Sequence, residues 1–312
     1  MSHHGRPLFS RRELIEGGLA AGVAALVARA TPAAAASSLP LIRKAIPASG
    51  EKLPAIGIGT DSFRADVSDD IRAELKRMAE LGGSVIDTAA AYGDSEALIG
   101  AALESLATRD RMFIATKLVG NGGADSFAHS LQRLKTARLD LLQVHNLDGV
   151  AELIPTLQAW KKSGKIRYIG VTTSRGSQHA ELLSVMRSYP LDFIQVDYSL
   201  ANREAAEAVL PLALERKLAV LVNLPFGRSS LFQQAADRKL PDWAPQIDVN
   251  SWGQYFLKYV ISHPAVTCAI PGSTKLSHLE DNQGAGRGRL PDAARRRKME
   301  QYWDSATKSA GS

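Results

Sequence analysis

Across residues 56–270, short runs of β-branched and other apolar residues alternate with longer stretches whose apolar positions recur at helical spacing. The short runs fall at 56–60, 85–88, 112–117, 141–145, 166–172, 193–198, 219–224 and 267–270, and their lengths are those of strands. Between them, 69–81, 95–107, 126–134, 150–163, 177–188 and 203–216 read as helices. Alternating β and α units imply parallel strands, and eight of them in roughly 230 residues fit an α/β fold closed into a (β/α)8 TIM barrel. An open doubly wound sheet is the alternative. It is weakened because Gly57-Ile58-Gly59 lacks the third glycine of a dinucleotide-binding turn and precedes no immediate helix. Ahead of the first strand, 41–46 and 51–54 flank a Pro/Ser/Gly turn and read as an N-terminal β-hairpin that would plug one end of the barrel.

Residues 1–36 have another texture. Ser10-Arg11-Arg12-Glu13-Leu14-Ile15 leads into an Ala/Gly/Val/Leu-rich stretch at 17–28 and then small residues at 33–38, the three parts of an export signal. The paired arginines resemble a twin-arginine signal. The modest hydrophobicity of the middle fits such a signal better than a membrane anchor, which needs about 20 strongly apolar residues. The expected organisation is a leader over 1–36, cleaved near Ala36, and a single barrel domain over 37–312. The expected location is periplasmic or secreted, with transient contact to the export machinery and no stable membrane insertion after cleavage. A cytoplasmic protein is expected if the signal does not function, and an uncleaved anchor or a flexible leader are the alternatives. His3 and His4 lie in this disposable segment and carry no metal reading.

Composition narrows the function classes. With 45% apolar and 22% charged residues the chain can bury a large core unaided. Cys268, the one cysteine, rules out an internal disulfide framework and a multi-cysteine metal site, and it reads as a small core hydrophobe. The formal charge of +6 is dispersed, and the leader holds +2 of it. The densest basic run, Arg295-Arg296-Arg297-Lys298, falls in an expected terminal helix without interleaved aromatics, so it reads as a solvated face and no nucleic-acid partner is expected.

In a barrel of this type, chemistry gathers at the carboxyl ends of the strands. Those ends carry Asp87, Lys117 and His145, with Tyr92 on the loop after the second strand. A phenol with an ordinary pKa of about 10 needs a nearby cation to act as a proton donor at neutral pH. Lys117 would be that cation, lowering the Tyr92 pKa, while Asp87 keeps the buried ammonium charged. His145 could donate a hydrogen bond to a substrate oxygen or share its proton with Tyr92. Each residue alone has a plainer reading: Asp87 a helix cap, Tyr92 a loop packing residue, Lys117 a snorkelling side chain, His145 a satisfied core histidine. Their shared position at successive strand ends favours the joint, chemical reading.

The sequence around these residues carries further motifs: Gly57-Ile58-Gly59-Thr60, Asp87-Thr88-Ala89-Ala90-Ala91-Tyr92-Gly93-Asp94-Ser95-Glu96, Thr116-Lys117, Leu142-Gln143-Val144-His145-Asn146, Ile169-Gly170-Val171, Ile194-Gln195-Val196-Asp197-Tyr198-Ser199, and Ile270-Pro271-Gly272-Ser273 leading to Asn282. From Leu41 to about Ala285 the chain resembles an aldo/keto reductase. The resemblance implies a (β/α)8 barrel that binds NADP(H) or NAD(H) in extended form without a metal, and a tetrad at Asp87, Tyr92, Lys117 and His145. It implies hydride transfer from the nicotinamide to an aldehyde or ketone, or the reverse from an alcohol, with Tyr92 giving the proton.

On the cofactor side the resemblance points to Thr60 and to Gln195, which sits where the family hydrogen-bonds the nicotinamide amide. The family's Ser-Asn pair after the fifth strand reads Thr172-Thr173 here, and threonine can still donate. The ring that often stacks on the nicotinamide is replaced by Asn223, with Phe226 and Gly227 close by in sequence and Phe226 able to compensate in part. Where many members carry a lysine and an arginine for the 2′-phosphate, this chain has Gly272 and His278. Ser273 and Lys275, together with backbone N–H groups, would hold the phosphate. NADP(H) is therefore expected ahead of NAD(H), with Asn282 at the adenine. Phe63, Asn146, Leu147 and part of 228–250 should line the substrate pocket, Trp243 and Trp252 either adding walls or packing elsewhere. A Schiff-base lyase using Lys117 and a non-catalytic nicotinamide-binding sensory subunit are the competing readings.

Overall fold

Strands buried on both faces, alternating with helices, decide the architecture. A computed structural model describes residues 39–120 and 122–308. The leader and its export reading lie outside the described residues. A hairpin of β1 (Arg43–Ala45) and β2 (Lys52–Pro54) comes first. It is followed by β3 (Ile58–Gly59), β4 (Val85–Asp87), β5 (Phe113–Leu118), β6 (Leu139–Val144), β7 (Ile166–Thr172), β8 (Phe193–Asp197), β9 (Ala219–Asn223) and β10 (Val266–Ala269). These eight strands form one parallel sheet in sequence order. Parallel bridges Ile56↔Ala269 and Gly59↔Gly272 join the first strand to the last and close the (β/α)8 barrel. Closure is tight at Gly59, where a Cβ would stand 2.8 Å from the Ile270 carbonyl oxygen, so the bare backbone is required.

The helices of the outer layer are α1 (Ser68–Glu80), α2 (Ser95–Ser105), α3 (Gly123–Arg133), α4 (Val150–Lys162), α5 (His179–Ser188), α6 (Val209–Glu215), α7 (Ser230–Ala235), α8 (Trp252–Ile261), α9 (Leu276–Ala285) and α10 (Ala293–Lys308). Ile86, Ile114, Leu142, Ile194, Val220 and their like point outward into the main core between sheet and helices. Val85, Phe113, Leu141, Tyr168, Phe193, Leu221 and Cys268 point inward and fill the barrel. Cys268 is buried there as a small hydrophobe, and burial pushes its thiol pKa up. The hairpin is the expected plug, because Ile46 and Leu53 belong to the same interior cluster. Each contributes about 1.5–3 kcal/mol by burial. Lys44 ties the hairpin down by donating to the carbonyls of His263 (3.0 Å) and Val266 (2.8 Å).

Three features differ from the sequence reading. The helix expected over 203–216 is broken into a 3-10 turn at Glu204–Ala206 and α6. Pro211 explains the break: it has no N–H, its ring would clash with the carbonyl of Glu207, and it is tolerated only in the first turn of a new helix. Phe63, expected in the substrate pocket, is fully buried in the main core. The basic run of α10 is only partly a solvated face. Arg296 donates to the Tyr198 hydroxyl (2.7 Å) and lies over the Tyr259 ring, while Arg295 and Lys298 both lie 5.0 Å from the Trp243 ring. These contacts fasten α10 to the barrel through cation–π and hydrogen-bond interactions. Trp243 and Trp252 belong to that packing, stacked among Tyr255, Phe256 and Trp303. No helix among the described residues is long and apolar enough to cross a membrane.

Candidate active site

Inward-facing positions turn polar at the carboxyl end of the barrel, immediately above the apolar filling. Along β4 the interior residue after Val85 is Asp87. Along β5 Phe113 and Ala115 are followed by Lys117, and along β6 Leu141 is followed by Gln143 and then His145. Asp87 and Lys117 are 3% and 2% exposed, and the ammonium donates to Asp87 Oδ2 at 2.6 Å and to the Thr88 carbonyl at 2.8 Å. The other oxygen, Asp87 Oδ1, accepts from Gln195 Nε2 at 2.8 Å and from Gln143 Nε2 at 3.5 Å. Burial opposes charge on both partners. It raises the Asp87 pKa against the pull of Lys117, whereas for Lys117 the nearby Asp87 and Tyr92 outweigh burial and raise the ammonium's pKa. Lys117 is thus held charged, which is the opposite of what a Schiff-base nucleophile requires.

Residues 87–96 brace this pair. Thr60 Oγ1 donates to the Asp87 carbonyl (2.9 Å), Ser95 Oγ donates to Thr60 Oγ1 (2.8 Å), and Ser95 Oγ lies 3.0 Å from Thr88 Oγ1. Glu96, buried in the first turn of α2, accepts from Thr116 Oγ1 (2.7 Å) and Arg133 Nη2 (2.6 Å). The segment therefore clamps β3, β4 and β5 together behind the site. Between these anchors the chain turns at Gly93, whose φ of +60° suits glycine, and this presents the half-buried Tyr92 over the strand ends.

Lys117 Nζ lies 4.9 Å from the centre of the Tyr92 ring, and the His145 ring meets Tyr92 edge-on at 5.9 Å. The lysine pulls the Tyr92 pKa down, as the sequence implied, but burial is the larger influence and the net direction is upward. The phenol accordingly stays protonated, as a proton donor must. His145, at the start of a turn just past β6, has its pKa lowered to about 4 by burial first and by Lys117 second. It is a neutral imidazole near pH 7 and offers one N–H. Asn146 and Leu147 follow with φ of 53° and 62°, a costly conformation for residues with a Cβ. It is held by Asn146 N–H donating to Thr172 Oγ1 (2.9 Å) and by Gln178 donating to the Asn146 carbonyl (2.9 Å).

A folded-state pKa depressed below the ordinary value near 6.5 means that charging His145 opposes folding. Its contribution to stability is complete above about pH 6.5 and is lost as pH falls toward about 4. An NMR titration of its ring protons should show a midpoint near 4, and a midpoint near 6.5 would contradict the burial of this ring.

Above the four residues opens a cavity of about 760 Å³. Thr60, Asp87, Tyr92, His145 and Gln195 line its floor, and Asn223 and Phe226 stand in one wall. Ser273, Lys275 and His278, which follow β10, also line it. Lys117 sits beneath the lining. Thr172 and Thr173 are buried behind it, Thr173 donating to Gln178 Oε1 (2.8 Å), while Gly227 and the buried Asn282 are not part of the lining. The Phe226 ring packs on Phe232 at 4.8 Å between centres. A second cleft of about 510 Å³, walled by Arg109, Arg138 and Arg167, lies at the hairpin end, away from the strand ends that carry the site.

Sequence reasoning passed over several of these groups. Gln143 is one of them: a polar residue at an inward position on an apolar strand, it carries the same signal that marks Lys117. Arg175 is another, whereas Asn146 and Arg228 line the cavity as the sequence led one to expect.

An aldo/keto reductase from Klebsiella pneumoniae, solved with NADP and acetate, superposes with a TM-score of 0.71 at 24% identity, over 81% of this chain and 93% of that one. The aldo-keto reductase AKR11C1 from Bacillus halodurans superposes at 0.69 and 23% identity, over 85% of this chain and 96% of that one. The barrel is thus the one used by this class of oxidoreductases. The aldo/keto reductase family model matches residues 55–297, and the chain belongs to that family. Among curated relatives, methylglyoxal reductase YeaE of Escherichia coli is 30% identical over 257 residues, which cover 77% of this chain and 88% of the relative.

Proposed function

We propose that this chain is an NADP(H)-dependent oxidoreductase, with NAD(H) as the alternative cofactor, that reduces a small aldehyde or ketone or oxidises the corresponding alcohol. The observation that carries the reading is the charged, buried Lys117 held by Asp87 directly beneath the protonated Tyr92 at the floor of the cavity. The cavity walls fit a nicotinamide dinucleotide. Asn223 donates its amide to the Thr173 carbonyl (2.9 Å), while its Oδ1 is buried without a partner, an acceptor that a carboxamide N–H₂ would satisfy. Gln195 would share that end, Thr60 would lie against the cofactor on the floor, and Lys275, His278 and Ser273 would face the phosphate-bearing end. Phe226 would add to the wall, and Thr172, Thr173, Gly227 and Asn282 would support the same site from behind or beside it.

A nicotinamide held at Gln195 and Asn223 would supply hydride to the carbonyl carbon. The chain's own work is proton management and orientation. The His145 N–H and the Tyr92 hydroxyl converge on the carbonyl oxygen, which gains the Tyr92 proton as charge develops on it. The phenolate left behind is stabilised by Lys117, and Asp87 keeps the ammonium in place and charged. The product is an alcohol carrying the hydride on carbon and the Tyr92 proton on oxygen.

The organisation of the chain belongs to the same proposal: a twin-arginine-like leader over 1–36 would export a folded barrel with its nucleotide already bound. The test of function is a fluorescence titration of the chain from Ser37 onward with NADPH and NADH, followed by carbonyl reduction assayed on a small 2-oxoaldehyde, the class acted on by the reductase from Escherichia coli. Saturable binding and nucleotide oxidation are expected. Absence of binding to both nucleotides would remove the reading.

A further inference from the structure

Glu74 is a fully buried carboxylate on α1 that the chemistry above does not use. Its Oε1 accepts from Ser273 Oγ at 2.8 Å, and its Oε2 is buried with no partner. An unsatisfied buried carboxylate oxygen is costly, so the arrangement calls for a physical reason. Burial pushes the Glu74 pKa up and Ser273 pulls it back. Ser273 also accepts from the Lys275 N–H (3.1 Å), and its Oγ lies 3.0 Å from the Lys275 carbonyl. A serine hydroxyl has a single hydrogen. Glu74 and the Lys275 carbonyl compete for it, so none is left to offer to the cavity that Ser273 lines.

The same corner holds a second acid. Asp61 lines the cavity, and its Oδ1 lies 3.6 Å from where a Cβ on Gly272 would be. The Gly272–Ser273 corner is therefore flanked by two carboxylates, Glu74 on Ser273 and Asp61 on Gly272. A phosphate is held by donors and positive charge, whereas this corner turns its hydroxyl donor inward and has a carboxylate on either side.

We propose that Glu74 is a cofactor-selectivity residue: by claiming the Ser273 hydroxyl from behind, it holds down affinity for the 2′-phosphate, so that the chain accepts NADH alongside NADPH. The inference rests on the nucleotide-binding reading above and deepens it. In Glu74→Gln the side chain keeps its shape and can donate its amide to Ser273 Oγ, which releases the hydroxyl hydrogen from Glu74 and leaves the neutral Lys275 carbonyl as the group a charged phosphate oxygen must outcompete for it.

The experiment is a fluorescence titration of the wild-type chain and Glu74→Gln with NADPH and NADH, alongside displacement by adenosine 2′,5′-bisphosphate and by 5′-AMP. The wild type should bind the two nucleotides within about tenfold of each other and show no large preference for the 2′-phosphorylated fragment. Glu74→Gln should tighten NADPH by about tenfold, the worth of one hydrogen bond to a charged group, and leave NADH within about twofold. A variant that changes both nucleotides equally, or neither, overturns the role of Glu74. A wild-type preference for the 2′-phosphate above about 100-fold overturns it too, and that arm needs no variant to fold. If neither nucleotide binds the wild type, the cofactor reading itself fails and this inference fails with it.

Discussion

Tyr92→Phe will lower kcat for carbonyl reduction by about 10²–10⁴-fold, the usual contribution of a positioned proton donor, and leave NADPH affinity and Tm unchanged. The substitution removes one oxygen and keeps the ring. The ring's edge contact with His145 and its place over the Lys117 ammonium survive, and a half-buried side chain on a braced loop loses little packing. What disappears is the hydrogen that the developing alkoxide needs. Neutral His145 could still orient the carbonyl, but with its pKa near 4 only a small protonated fraction is present at pH 7 to replace the tyrosine as acid. The result also separates the reading from a non-catalytic sensory barrel, in which Tyr92 would be a wall and Phe an equivalent wall. Single-turnover oxidation of NADPH at saturating substrate is the measurement, and a rate within threefold of wild type would overturn the assignment of Tyr92.

Much of this site was legible because its residues violate the local pattern in which they sit. Lys117 and Asp87 end apolar runs in which every other position is buried, so a charge there implies a partner, and neighbouring strands supply it. The barrel was legible for a related reason: parallel strands buried on both faces read as near-continuous apolar runs between helical periods. Other features depended on packing that no local window contains. Glu74 stands three residues after Ile71 and four before Met78, so helical spacing puts it on the buried stripe of α1, but its partner comes only when α1 docks beside α9 and the Ser273 loop. Phe63 follows the first strand, where pocket residues are expected, yet turns into the core. Arg295 and Arg296 look like surface charge until Trp243 and Tyr259 come beneath them. The direction of the Tyr92 shift was hidden too, because a sequence names the neighbouring cation but not the depth of burial that outweighs it.

Lys117→Met will cost the fold about 3–5 kcal/mol and remove carbonyl reduction, because it leaves the Asp87 carboxylate inside the barrel without its counter-ion. Met fills most of the lysine stem's volume, so the loss is electrostatic rather than a cavity effect. The two glutamines on Asp87 Oδ1 remain, but Oδ2 loses the ammonium it accepts from at 2.6 Å. The loss should depend on pH in a defined direction. Burial already raises the Asp87 pKa and Lys117 opposes that rise, so removing the lysine raises it further. A carboxyl whose folded pKa exceeds its unfolded value of about 4 favours folding below that value and ceases to as pH climbs through the folded pKa. The Tm deficit of Lys117→Met against wild type should therefore shrink as pH is lowered from 8 to 5. Adding Asp87→Asn to it should recover part of the stability, since a neutral amide needs no counter-ion, with a coupling of about 0.5–3 kcal/mol between the two sites. Neither recovery should restore turnover, because the ammonium beneath Tyr92 is gone in both proteins. Thermal melts of the two single variants and the double variant across that pH range measure all of this, and purely additive losses would show that Asp87 and Lys117 are not the coupled pair on which the site is built.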